Sequence, residues 1–180
     1  GSIHNKGHSD LAHLLSSPLV DILACPLNYD QRDAGGTTLP QLAPASVRAN
    51  GKLFWIEDDS RTVYSREGIR WRIPTLGATE EIMKRTFAYA LTKGGGEWWL
   101  DFGNRWFSHP PLLKLYGQFA RTIGAATPAA RTSAAQIVVL LQDQTYLRLL
   151  RNPAFSEPLG YRQLLEECRR LGAPFDIAML

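Results

Sequence analysis

The spacing of apolar positions changes several times along the chain, and the changes mark out its elements. Residues 11–15 read as the tail of a helix, cut by Ser16-Ser17-Pro18. Residues 20–26 form a short apolar run of the kind a strand buried on both faces shows, ended by Pro26. Residues 28–49 hold Asp30, Asp33, Gly35-Gly36, Pro40 and Pro44 and predict a loop long enough to carry function. Asn50-Gly51 opens a second strand over 52–56, closed by Glu57-Asp58-Asp59-Ser60-Arg61. After an irregular stretch over 62–77, Thr79 is the expected N-cap of a helix that carries Ile82, Met83, Phe87, Ala90 and Leu91 and ends at Lys93-Gly94. Glu80 and Glu81 suit the positive end of its dipole. Gly94-Gly95-Gly96 is a turn before a third strand over 97–102, which Gly103 stops.

Pro110-Pro111 opens a helix with Leu112, Leu115, Tyr116, Phe119 and Ile123 on one face. Residues 125–135, rich in Ala, Thr and Ser, predict a linker between a first part, 1–124, and a last part, 136–180. In the last part 136–141 is a β-rich strand, and Tyr161, Leu164, Leu165, Cys168 and Leu171 form a helix stripe ending at Gly172. Residues 176–180 begin another strand, and a chain that stops there is expected to be truncated. Strands alternate with helices throughout, which predicts an α/β fold with parallel sheets and crossover helices.

Composition narrows the picture. With 180 residues, 44% of them apolar, the chain can bury a sizeable core, yet it is shorter than the roughly 200 residues a complete βα barrel needs. Lys and Arg number 20 against 17 Asp and Glu, and the Arg residues are scattered, so a nucleic acid partner is not expected. The two cysteines, Cys25 and Cys168, sit in separate apolar runs without metal spacing. They are expected to be buried thiols in a reducing, cytoplasmic compartment. No leader segment is expected, because the N-terminus lacks a basic segment followed by a long apolar stretch, and no membrane span, because no apolar run approaches about 18 residues. His4, His8, His13 and His109 form no HExxH and read as surface or packing residues, and no Gly-rich phosphate loop appears. Hence no cofactor and no metal site is expected, although Asp58, Asp59 and Asp101 leave room for a structural ion.

In parallel βα architectures the reacting groups gather where strands end. Here those ends carry Tyr29 and Asp30 with Arg32, then Glu57, Asp58 and Asp59 with Arg61, then Asp101 with Trp106. Pleating sets Leu53, Trp55 and Glu57 on one side of their strand and Phe54, Ile56 and Asp58 on the other. A carboxylate at a strand end is most often solvated or structural. Three in succession beside Arg61 ask for a cation, a sugar or an arginine partner. Trp55 and Trp98 read as packing residues and Trp106 as an exposed loop aromatic. Carboxylates beside aromatic faces suit carbohydrate, which offers hydroxyls to one and apolar ring faces to the other.

Together the run from Leu14 to Ser17-Pro18 and 20–23, Pro26 with 29–32, Ser46-Val47-Arg48, the stretch 51–62, and Trp98-Trp99-Leu100-Asp101-Phe102-Gly103 with Trp106 resemble the last three βα units of family 42 β-galactosidases. The part after Gln136, closing on 170–177, is similar to the start of the flavodoxin-like trimerisation domain of that family. The resemblance implies a partial (β/α)8 barrel, strands six to eight, followed by the beginning of a flavodoxin-like βαβ unit. It implies a retaining glycoside hydrolase acting on β-galactosides or related β-glycosides, with two carboxylates about 5 Å apart. Glu57 would be the nucleophile and Tyr29 the residue that orients it. Asp59 and Arg61 would fix the loop, with Arg32 beside them, and Asp101, Trp99 and Trp106 would line the sugar site. Strands one to five and the acid/base after strand four have no counterpart here. The chain is therefore expected to be a fragment of such an enzyme, catalytic or serving only in carbohydrate binding or assembly, or to work as a homo-oligomer, most simply a dimer. Such an assembly would recruit its own acid, for example Asp59 or Asp101.

Overall fold

The computed structural model describes residues 10–126, 132–142 and 161–180. Along the chain its elements are α1 (Leu11–Ser16), β1 (Ile22–Pro26), α2 (Pro44–Ala49), β2 (Leu53–Asp58), α3 (Leu76–Thr92), β3 (Gly96–Trp99), α4 (Pro110–Ala126), β4 (Ile137–Leu141), α5 (Tyr161–Arg170) and β5 (Phe175–Met179). The fold is mixed α/β with two short parallel sheets, and neither sheet is closed. The chain divides into two compact units. One comprises Gly1–Leu23, Ala43–Leu53 and Ser133–Leu180, the other Ala24–Leu42 and Phe54–Thr132. His4, His8 and much of the expected linker lie outside the described residues.

In the first unit β4 and β5 pair in parallel, from Ile137 beside Phe175 to Leu141 beside Met179, with α5 between them in sequence. Val139, Ile177, Leu165 and Cys168 are buried, whereas Val138, Leu140, Leu164 and Leu171 are exposed. Leu164 and Leu171 thus leave the stripe expected of α5. The loop expected over 28–49 contains a helix, α2, opened by Pro44 at its first turn. Six residues are too few for a 3.6-residue period to show. Its Val47 is fully buried, and the Ser46 hydroxyl accepts a hydrogen bond from the Met179 amide at 2.7 Å.

The second unit contains most of the three-stranded sheet, ordered β1-β2-β3, with β2 and β3 parallel from Trp55 beside Gly96 to Asp58 beside Trp99. Burial alternates along β2 as the pleat requires. Phe54, Ile56 and Asp58 are fully buried, while Leu53 and Trp55 are exposed. Helices α3 and α4 supply Met83, Leu112, Leu115 and Phe119 to a core shared with Phe107 and Trp106. Phe87 of α3 stacks on Phe119 of α4 at 4.1 Å between ring centroids. Ile123, expected on the packed face of α4, is exposed.

Three expected boundaries move. The N-cap of α3 is Thr75, whose hydroxyl accepts from the Ala78 amide at 3.1 Å. Thr79 lies inside the helix, buried, donating to the Thr75 carbonyl and accepting from the Val63 amide. Glu80 and Glu81 consequently fall beyond the first turn. The second strand runs on through Glu57 and Asp58 instead of closing before them. The third strand stops at Trp99, because Asp101 accepts from the Gly103 amide and Phe102 turns to φ 52°, a conformation that cannot continue a ladder.

Candidate functional site

The loop after β1 and the end of β2 converge on Asp59. Its carboxylate is buried, 2% exposed, and accepts from three side chains. Tyr29 donates its hydroxyl at 3.1 Å and Arg61 donates at 2.9 Å, both to Oδ2, while Arg32 donates to Oδ1. Arg32 also donates to the Asn28 carbonyl at 2.9 Å and the Leu27 carbonyl at 2.5 Å, and its guanidinium lies 4.0 Å from the centre of the Tyr29 ring. Arg61 adds a bond to the Asp59 carbonyl at 2.6 Å.

This arrangement sets the charges. Burial alone would push the Asp59 carboxyl up, but the bonds and charges of Arg32 and Arg61 outweigh it and hold it below the usual carboxylate range. Tyr29 is pushed up by burial, then by the Asp59 charge and the bond to it, so it remains a proton donor. Glu57, half-buried on the same side of β2 as Leu53 and Trp55, is pushed up by burial and then by the neighbouring Asp59 charge, with Arg32 opposing. Cys25 is buried and its thiol is pushed up to about 12, chiefly by burial, which keeps it protonated. Cys168 is likewise buried.

Of the residues singled out in the sequence, Glu57, Tyr29, Asp59, Arg32 and Arg61 come together. Arg32 and Arg61 spend donors on Asp59 and on backbone carbonyls. Asp101 stands apart from this cluster of bonds and caps its own turn, its side chain accepting from Gly103 at 2.8 Å. Trp99 donates its indole N–H to Glu97 at 3.0 Å and stacks on Tyr116 at 4.1 Å. Trp106 is not the exposed loop aromatic expected: at 2% exposure it belongs to the core, leaving no face for a ligand. Trp106 does lie in a loop beside Gly103 and Asn104, but the chain turns the ring inward, and the Thr62 hydroxyl donates to the Trp106 carbonyl at 2.9 Å.

The exposed aromatics near the site are others. Trp71 and Phe102 are 51% and 57% exposed. Trp71 packs its ring 5.7 Å from Tyr29, and Arg61 lies 5.2 Å from the centre of Phe102. A cleft of about 170 Å³ is lined by Tyr29, Gln31, Arg32, Ser60, Arg61 and Trp71 among others. Among the described residues, the non-glycine residues with positive φ are Gln31, Trp71, Phe102 and Arg105, all in loops that follow strands. Bulky side chains in the left-handed region are held there by surrounding structure, and such strain gathers at working sites. No sequence pattern announces a left-handed Trp. The one available signal was a tryptophan between two arginines, Arg70 and Arg72, in a long loop.

No group of three or more His, Cys, Asp or Glu side chains placed to hold a metal ion occurs among the described residues. None of their helices is long and apolar enough to cross a membrane. No family model, characterised protein or solved structure matches the chain.

Proposed function

We propose that the chain carries the nucleophile half of a retaining β-glycosidase site of the family 42 β-galactosidase kind, acting on β-galactosides or related β-glycosides through Glu57. The observation that carries this reading is the cluster at the ends of β1 and β2. Glu57 stands on the open side of β2 next to an Asp59 that Tyr29, Arg32 and Arg61 hold ionised, with exposed aromatics at the neighbouring cleft. In this reading β1, β2 and β3 correspond to the last three strands of a barrel, and β4-α5-β5 to the start of a flavodoxin-like unit. Asp59 is a poor choice for the acid, since its oxygens are engaged and its carboxyl is held ionised. The acid/base then comes from a partner chain or another part of a longer protein.

The test avoids the missing acid. A 2,4-dinitrophenyl 2-deoxy-2-fluoro-β-galactoside has a leaving group that needs no protonation, so a nucleophile alone suffices to form the covalent glycosyl-enzyme. Mass spectrometry should find the sugar on the peptide bearing Glu57, and Glu57→Gln should remove it. An unlabelled wild-type chain, or equal labelling of the variant, rejects the assignment.

A second reading, an assembly fragment that binds without turnover, is favoured by one observation. Leu53 and Trp55 lie exposed on the same side of β2 as Glu57, where an assembled form would cover them.

A further inference from the structure

The other side of β2 holds a second pair of carboxyl groups that the proposed chemistry does not use. The parallel register sets Ile56 beside Glu97 and Asp58 beside Trp99, so Asp58 and Glu97 are diagonal neighbours on the buried face. Asp58 is fully buried. Its Oδ1 accepts from the Ser60 amide at 2.9 Å, and its Oδ2 is sealed from solvent without a hydrogen-bond partner among the described residues. Glu97 repeats the pattern: Oε1 accepts from the Trp99 indole at 3.0 Å, and Oε2 is sealed and without a hydrogen-bond partner among the described residues.

Two ionised carboxylates in so dry a place would repel each other with little solvent to screen them. The groups facing Asp58 are Ser60, Tyr116, the guanidinium groups of Arg32 and Arg85, and the carboxyls of Asp59 and Glu97. Those facing Glu97 are Asp58, Tyr116 and the Trp99 indole, with no cation among them. Burial pushes both carboxyls up, but at Asp58 the Ser60 bonds and the Arg32 charge oppose it, whereas no cation opposes it at Glu97, so Asp58 is the better place for the charge and Glu97 for the proton. Burial first and then the Asp58 charge, against the opposing Trp99 bond, push Glu97 up to about 9.

The pair also sits where the ladder ends. The Asp58 carbonyl accepts from the Leu100 amide at 2.9 Å, and its side chain pins Ser60 at the start of the turn that carries Arg61. The loop with Phe102 and Arg105 follows Leu100. We propose that Asp58 and Glu97 form an acid pair that makes the ends of β2 and β3 sensitive to pH: with a proton on Glu97 the ladder end is closed around Asp58, and loss of that proton opens it. The sign follows from linkage. The unfolded chain releases the Glu97 proton near the ordinary value of 4.5, whereas the folded chain holds it to about 9. The contribution of the pair to stability is therefore complete below 4.5, declines as pH rises, and is gone above about 9.

The experiment uses the full chain with ¹³C at the glutamate side-chain carboxyls, titrated by NMR from about pH 5 to about pH 10. The Glu97 resonance is recognised by its loss in Glu97→Gln or, should that variant not fold, in Glu97→Asp. It should titrate near pH 9, and in Asp58→Asn its midpoint should fall by about one unit or more. Tryptic cutting after Arg61 or Arg105 should rise through the same midpoint in the native chain and stay at its low-pH level in Glu97→Gln. A Glu97 carboxyl that titrates in the ordinary range overturns the proposal. So does an unmoved midpoint in Asp58→Asn, or the same rise in cutting in Glu97→Gln.

Discussion

Asp59 shows how one side chain organises its neighbours. It is buried with Arg32 and Arg61, and breaking a buried charge cluster leaves the remaining charges uncompensated. Asp59→Asn should cost about 3 kcal/mol in urea unfolding. Because Asp59 is held below its ordinary value of 3.8, its contribution is present above that pH and is lost as pH falls through the folded value. The acid limb of the stability profile should therefore flatten in Asp59→Asn. On the proposed reading Tyr29 is a supporting group: Tyr29→Phe removes one bond to Asp59 and should slow glycosyl-enzyme formation by roughly 10-fold to 1000-fold. An unchanged rate would reduce Tyr29 to packing. As the proposed nucleophile, Glu57 would have to be ionised to attack. Since it is pushed above 4.5, the acid limb of labelling should lie above the ordinary glutamate range.

Among the elements, the join between α3 and β3 is tightly constrained. Gly94 takes φ 69° after the helix, as a helix-ending glycine does. A Cβ at Gly95 would lie 2.5 Å from Phe54 Cδ1 and 2.8 Å from the Phe54 carbonyl, and one at Gly96 would lie 2.2 Å from Trp55 Nε1. The three glycines thus do different work: one reverses the chain and two let β3 lie close against β2. Gly95→Ala should destabilise by about 2 kcal/mol through overpacking against rigid backbone. Gly117, midway along α4 with only the Arg121 side chain 3.7 Å from its virtual Cβ, is the control. Gly117→Ala should stabilise by about 0.5 kcal/mol, since alanine has less backbone freedom to lose. Thermal melts of both variants check the contrast.

At the scale of the molecule, β1 and β3 are edge strands in their sheet, and Leu53 and Trp55 stand exposed on its open side. Sheet edges and apolar patches of this kind favour pairing with another chain. The expected state is a homo-oligomer, most simply a two-fold dimer, with an interface above about 1,000 Å². Sedimentation equilibrium at micromolar concentration measures it directly. A stable monomer would leave the open side of the sheet bare. Trp55→Glu should weaken the assembly without altering the buried side of β2, where Phe54, Ile56 and Asp58 lie.

Much of this was legible in the sequence. The period-two run ahead of Glu57 foretold the alternation along β2, and the helical stripes foretold α3 and α4, because both periods follow from backbone geometry alone. The gathering of Tyr29, Arg32, Glu57, Asp59 and Arg61 at strand ends was foretold by their place after apolar runs. Tertiary structure decided the rest. Which side of β2 is buried depends on where the helices pack, since alternation by itself treats the two sides alike. Trp106 went inward and Trp71 outward because loop backbone, with no repeating period, obeys only the contacts that hold it. The buried pairing of Asp58 with Glu97 rests on the register of β2 against β3, and register is a relation between segments some 40 residues apart that neither segment encodes alone.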